Sequence, residues 1–367
     1  MSQQPMQNET YRQWLSLPAK NSEEVQRMRR QVEQYNADQI PQRLAESTQG
    51  AYDGHWKRWL ECCHEMGFEW NEWNRYTVEM FIGWRRVRGR KWDGQPCKGS
   101  TISSNLSGIR AKLIELGERD VLPFSAIMMP RASMLLTAIK MHDEVDKKYP
   151  LTDEMLIAMA RTLDLGKHDA RVMVFYLAIS HNTIRRANEV LCHGLGGMRA
   201  GDIVWQNGTY VPKLGELRDR TASYNFSRSK TNRNGRLQTA FMWCRCPGIC
   251  ALCSLRELYA GSPWPMERTT RLLRFEDGEV LDYKTALELV KKLVERIGGD
   301  PKKYGTHSLR SGGCQDALRM GLSDLLINSQ AYWAGNRSRR GYEGNTMLEV
   351  NALKLQELAL SGHNSKE

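Results

Sequence analysis

Strand-type sequence occupies one stretch of this chain, and the segments around it carry the period of a helix. Residues 201–212, GDIVWQNGTYVP, read as a strand pair, because Asn207 and Gly208 together are a strong signal for a two-residue hairpin turn. Residues 223–243, SYNFSRSKTNRNGRLQTAFMW, read as a further strand, with Lys230 at the edge of a turn rich in Asn and Gly. The expected fold is therefore mainly α. An N-terminal helical domain precedes a mixed α/β domain in which helices surround a small antiparallel sheet.

A chain of 367 residues exceeds the usual single-domain size, so two domains are expected. Residues 1–43 are polar, hold one charged helical stretch (NSEEVQRMRRQVEQYNADQ) and read as an arm. From Ser47, a plausible helix N-cap, Tyr52, Trp56, Trp59 and Leu60 recur at helical spacing. TVEMFIGWRRVRGRKW and STISSNLSGIRAKLIELG continue the theme, each opened by Ser or Thr. We read residues 44–147 as a helical domain, with Trp56, Trp59, Trp70, Trp73 and Trp84 assigned to its core. The second domain spans 148–343. It opens with LTDEMLIAMARTLD, where Thr152 and Glu154 suit a helix start, and continues in an apolar helical run that Arg185 and Arg186 interrupt. Residues 344–367 form a C-terminal helix and tail, whose Met347, Leu348, Val350, Leu353, Leu355, Leu358 and Leu360 need a surface on which to dock.

The net charge of +11 and pI near 9.2 favour a polyanionic partner, nucleic acid being the commonest. No apolar run is long enough to span a bilayer and the start, MSQQPMQNETYRQW, is not signal-like, so no membrane partner and an intracellular location are expected. WRRVRGRKW carries five cations in nine residues, Arg85, Arg86, Arg88, Arg90 and Lys91, which we read as a basic face toward DNA phosphates. Arg228 and Arg233, beside Lys230, are assigned to the same partner. The nine cysteines do not look like a secreted disulfide framework, so reduced thiols are expected. Four of them, Cys244, Cys246, Cys250 and Cys253, cluster in WCRCPGICALCSL. They suit either a tetrahedral zinc site or a buried, reduced turn leading into a helix; the spacing departs from familiar finger knuckles and no histidine is near, which favours the turn.

In GTHSLRSGG, His307 and Arg310 stand three apart, on one face if the segment opens a helix, and together they suit an anion. With Arg186 and Glu189 in RRANEV, Lys230 in SRSKT, Trp333, and Tyr342 nine residues after it, this ordered set resembles the tyrosine recombinases, also called the phage integrase family. The resemblance covers about residues 47–355. Most members have histidine where Trp333 stands, and a tryptophan there is Cre-like. Arg185 beside Arg186 leaves the register open by one, and the spacing to Glu189 favours Arg186. Insertions between Arg186 and Lys230 resemble recombinases of eukaryotic mobile elements such as Cryptons and DIRS elements, which would imply a nuclear location.

The resemblance implies a site-specific recombinase that joins DNA through a 3′-phosphotyrosyl intermediate and acts on double-stranded DNA as a homo-tetramer on synapsed sites. The chemistry accounts for the same residues. Two guanidiniums, Arg186 and Arg310, hold non-bridging oxygens that gain charge as Tyr342 attacks in line. Lys230 protonates the departing 5′ oxygen, and His307 shares in proton transfer. Glu189 orients His307 or an arginine, and the Trp333 indole N–H donates to the phosphate. No cofactor, metal or ATP is expected in the reaction. A type IB topoisomerase activity and a non-catalytic DNA-binding role descended from a recombinase are the alternatives.

Overall fold

The computed structural model describes residues 22–42, 46–89, 94–118, 120–143, 148–191, 197–205, 221–226 and 238–333. The chain divides into two compact units, Met1–Val145 and Asp146–Glu367. As expected, the described residues are mainly helical with one small antiparallel sheet.

The first unit contains α1 (Ser22–Gln42), α2 (Glu46–Met66), α3 (Arg75–Arg88), α4 (Gly99–Glu115) and α5 (Pro130–His142). Its core is built on indole rings. Trp59 and Trp73 meet edge to face at 5.6 Å and Phe81 closes on Trp59 at the same distance. Each buried indole N–H finds a backbone carbonyl, Trp59 at Trp70 and Trp73 at Leu122, which is the condition for burying a polar ring edge. Trp56 and Trp84 pack only at the margin, and Trp70 is 40% exposed. Three helix starts differ from expectation. Helix α2 begins before Ser47, and α3 is opened by Asn74, whose side chain accepts from Tyr76 and Thr77 while Thr77 Oγ1 accepts from Asn74 N–H. Helix α4 has no side-chain cap of its own, and the Asp143 carboxylate accepts the Gly99 N–H instead.

In the second unit α6 (Asp153–Arg161) is capped by Thr152, as its sequence predicts. The next helix, α7 (His168–Asn182), is buried along its whole length from Val172 onward. Being apolar on every side, it serves as the central post of the domain. A four-residue helix, α8 (Ala187–Val190), precedes the sheet. The strands β1 (Ile203–Trp205), β2 (Thr221–Phe226) and β3 (Gln238–Trp243) lie in that order, all antiparallel. The described partner of β1 is β2, with Ile203 opposite Tyr224, so the expected strand 223–243 is in fact two strands, β2 and β3, joined by the segment that carries Lys230. Asn207 and Gly208 lie outside the described residues. Ala222, Tyr224 and Phe226 share the inward face of β2, the period-2 alternation of a half-buried strand. Then follow α9 (Ala251–Ala260), α10 (Tyr283–Arg296), α11 (Thr306–Arg319) and α12 (Asp324–Ala331).

The two glycines after Arg310 are contact residues of α11. A Cβ on Gly313 would stand 2.0 Å from the His181 carbonyl oxygen of α7, and one on Gly312 would stand 1.8 Å from that of Leu151. Backbone therefore meets backbone at this crossing, where no side chain fits. Among the described residues, no helix is long and apolar enough to cross a membrane.

Candidate active site

Helix α7 ends in a way its sequence conceals. The N–H of Ile184 returns to the His181 carbonyl and that of Arg185 to the Ser180 carbonyl, the paired bonds that close a helix around a left-handed residue. That residue is Ile184, at φ +53°, where glycine is usual. A β-branched side chain in this region costs on the order of 1–3 kcal/mol, so surrounding packing must hold it. It does: Ile184 is 1% exposed and packs with Cys314, Ala317, Leu318, Ile327 and Trp333. The reversal turns Arg185 inward and delivers Arg186 to the N-cap position of α8. Arg185 and Arg186 interrupt the helical run, as read from the sequence, because both follow the left-handed break.

Glu189 is the meeting point. It is 3% exposed, its Oε1 accepts from Arg186 Nη1 at 2.8 Å, and its Oε2 accepts the Arg186 backbone N–H at 3.1 Å. The same Oε2 lies 3.8 Å from Arg310 Nη1 and 3.9 Å from Arg185 Nη1. Tyr224 of β2 donates its hydroxyl to the Glu189 carbonyl, tying α8 to the sheet. Three guanidiniums thus converge on one carboxylate. The surplus of positive charge in a largely dehydrated setting favours an incoming anion.

The guanidiniums differ in environment. Arg310 is fully buried, donates to the Ala331 carbonyl at 3.1 Å and lies 4.8 Å over the Trp333 ring. Arg185 is held between the rings of Phe226, at 4.2 Å, and Tyr332, at 4.6 Å, and none of its guanidinium nitrogens hydrogen-bonds a described residue. Burial pushes the Arg185 pKa down to about 10 despite Glu189, which leaves it charged at neutral pH. Arg186 keeps 32% of its side chain open to solvent. His307, in the first turn of α11, also reaches solvent. Partial burial lowers its pKa from the ordinary 6.5, and the positive charges of Arg310 and Arg186 act in the same direction. A neutral imidazole therefore sits beside two guanidiniums, ready to take a proton.

Helix α12 fastens this cluster to the sheet. Gln330 accepts from the Phe241 N–H and donates to the Phe241 carbonyl, and the Tyr332 hydroxyl accepts the Thr239 N–H at 2.7 Å. Edge groups of β3 that would otherwise stand open are thereby paired. Trp333, 8% exposed, follows directly.

No family model matches the chain, and no curated protein matches it in sequence. Solved structures do match. A lambda integrase dimer bound to a COC′ core site superposes with a TM-score of 0.52, over 86% of this chain and 94% of that one, at 13% identity. The XerH site-specific recombinase in a post-cleavage complex with palindromic difH substrate gives 0.50, over 78% and 71%, at 12% identity. The Tn1549 transposon integrase with a circular-intermediate DNA gives 0.50, over 78% and 86%, at 10% identity. The chain has the tyrosine recombinase fold.

Within this tyrosine recombinase fold, Arg186, Glu189, His307, Arg310 and Trp333 come together from α8, α11 and the end of α12. Lys230, Tyr342, Arg90, Lys91, Arg228 and Arg233 lie outside the described residues. The basic stretch needs a correction. Arg85 does not face solvent: at 7% exposure it donates to the Asn105 side chain, the Gly89 carbonyl and the Cys97 sulfur. Arg86 is paired with Asp143 at 2.8 Å, and Arg88, 61% exposed, with Glu65 at 3.1 Å. Sequence reasoning missed Arg185 as an enclosed charge beside the site, because its ring partners come from β2 and α12, far along the chain. It also missed the buried pair of His181 and Asp316, 3.0 Å apart. Arg245 donates to His181 Nδ1, which leaves Nε2 to carry the ring proton. Burial acts to raise the Asp316 pKa, but His181 and Arg319 prevail and hold it below its ordinary value.

Proposed function

We propose that this chain is a site-specific DNA recombinase or integrase that cleaves and rejoins duplex DNA through a 3′-phosphotyrosyl intermediate. The observation that carries the reading is the convergence of Arg186 and Arg310 on the buried Glu189, with His307 under the influence of both guanidiniums. In the proposed reaction the Tyr342 hydroxyl oxygen attacks the phosphorus, a P–Oη bond forms and the P–O5′ bond breaks. Neutral His307 takes the tyrosine proton, and Lys230 gives a proton to the departing 5′ oxygen. Arg186 and Arg310 hold the non-bridging oxygens, with Trp333 as a further donor. The enclosed setting makes each of these contacts stronger than it would be in water. Rejoining is the reverse: a 5′ hydroxyl attacks the phosphotyrosine, and the proton transfers run backward.

The charge of +11 supports a DNA partner whose binding weakens steeply with salt. The DNA-bound recombinases that share the fold support the same class of substrate. The reading includes a homo-tetramer on paired sites, since two duplexes each need two cleavages. A suicide duplex that loses its 5′ end after cleavage should trap a covalent protein–DNA adduct. Paired sites should then yield recombinant products. An adduct with relaxation of supercoils but no recombinants would indicate a topoisomerase, and no adduct on a bound target would indicate a DNA-binding protein alone.

A further inference from the structure

The turn between β3 and α9 brings together the sulfurs of Cys244, Cys246, Cys250 and Cys253, all within 4.8 Å of one another. Cys246 and Cys253 are 3.2 Å apart, and Cys250 and Cys244 are 4.0 Å apart. A tetrahedral ion with Zn–S bonds of about 2.3 Å sets its ligand sulfurs ~3.8 Å apart, which lies between these two separations. We propose that this turn is a structural zinc site with a four-thiolate ligand set, spaced C-x-C-x3-C-x2-C.

Three features support the assignment over a packed turn of thiols. Cys62, Cys63, Cys97 and Cys314 show how this fold uses cysteine as a small apolar residue: each is buried, and none belongs to such a cluster. In the turn, Cys246 is exposed, Cys244 and Cys253 are half-buried and only Cys250 is buried, so apolar packing does not account for the convergence. The turn, expected to be buried, is buried only at Cys250.

The backbone is also arranged for sulfur. Cys250 caps α9, accepting the Cys253 N–H at 3.5 Å and the Arg245 N–H at 3.4 Å. Its sulfur thus gathers two backbone N–H groups at the start of that helix, one from the strand side and one from the helix side. Cys250 and Cys253 share the first turn of that helix, and Cys244 and Cys246 are alternate residues of the segment that leaves β3.

The anchoring of the turn indicates what the ion would do. Asn182, the last residue of α7, donates to the Ile249 carbonyl at 3.1 Å and accepts the Ala251 N–H at 2.8 Å. Asp153 accepts the Ile249 N–H at 2.9 Å. A metal here would lock the end of β3 to the start of α9, beside the helix end from which Arg185 and Arg186 emerge. Its part is that of a fixed pin for the domain, with no role in the reaction, and the proposal stands whatever the reaction is.

The test uses the full chain, expressed with zinc and purified under reducing conditions. Elemental analysis should find roughly one zinc per chain. Exchange into cobalt(II) should give the visible bands of a tetrahedral ion together with thiolate charge-transfer absorption. The four thiols should resist alkylation until a chelator is added. Cys246→Ser, at the exposed ligand, should lose the metal, and Cys250→Ser should lose it while keeping an oxygen to cap α9. If either variant fails to fold, the cobalt spectrum and thiol protection of the unaltered chain decide alone. A folded chain with no bound zinc and no tetrathiolate cobalt spectrum overturns the proposal. So does undiminished zinc in Cys246→Ser, or a bond between Cys246 and Cys253 in peptides mapped without reduction.

Discussion

Arg185 and Arg186 are neighbours in the chain and opposites in environment: the Arg185 guanidinium is closed between the Phe226 and Tyr332 rings, while Arg186 reaches solvent and holds Glu189 at 2.8 Å. The strained turn at Ile184 produces the difference, because it points one side chain into the domain and the next out of it. Arg186→Ala, which leaves Glu189 beside Arg310 and Arg185, should lower stability less than Arg185→Ala and slow covalent adduct formation by on the order of 3–4 kcal/mol, the usual loss for one donor to a developing charge. Arg185→Ala should do the reverse. Emptying an enclosed slot beside a buried carboxylate should cost about 2–4 kcal/mol of stability, with the folded fraction still able to cleave. Thermal unfolding and single-turnover cleavage, measured on both variants, check the pair; a larger cleavage defect in Arg185→Ala would exchange their roles.

The crossing of α11 over α7 gives a stability prediction that does not depend on function. Gly313→Ala places a methyl group 2.0 Å from the His181 carbonyl oxygen, and neither backbone can yield without moving the Arg310 helix. A loss of more than about 3 kcal/mol is expected, beyond the ordinary range for a point substitution. Gly50→Ala on α2, where nothing lies within 4 Å, is the control and should be stabilising by roughly 0.5–1 kcal/mol. Denaturant unfolding of the two variants provides the comparison, and equal stabilities would contradict the close approach.

His307 sets an expectation for pH. Burial, with Arg310 and Arg186 beside it, lowers its folded-state pKa below 6.5, so the unfolded chain takes up the proton first as the pH falls. The stability associated with this group is complete above 6.5 and is lost as the pH drops through that value toward the folded pKa. In the proposed reaction cleavage uses the neutral ring, so its rate should hold at and just below pH 6.5 and fall only under more acid conditions. His307→Gln should lower the rate and remove that acid limb. A limb that persists unchanged in the variant would assign it to another group.

What could be read in advance was local. Arg186 and Glu189 at i, i+3, Thr152 as a cap and His307 with Arg310 on an opening helix turn all depend on near neighbours, and periodicity exposes them. Where sequence reasoning fell short, distant residues decided. Nothing near Ile184 announces a left-handed residue, because the packing that pays for its strain comes from α11, α12 and Trp333. Arg85 reads as one more surface cation until Asn105 and Cys97, from elsewhere in the chain, enclose it. Spacing alone separates the four cysteines from a finger motif, and only the turn after β3 shows that they meet.

The central claim is that a phosphodiester held at the Glu189 cluster is attacked by Tyr342. The direct measurement is proteolysis of the trapped adduct, followed by mass-spectrometric identification of the tyrosine that carries the nucleotide. Tyr332 lies ten positions earlier, and it is committed elsewhere: its hydroxyl accepts the Thr239 N–H and its ring covers Arg185. The expected result is a single modified peptide bearing DNA on Tyr342, absent in Tyr342→Phe and retained in Tyr332→Phe. Nucleotide on Tyr332, or an adduct that survives in Tyr342→Phe, would contradict the account.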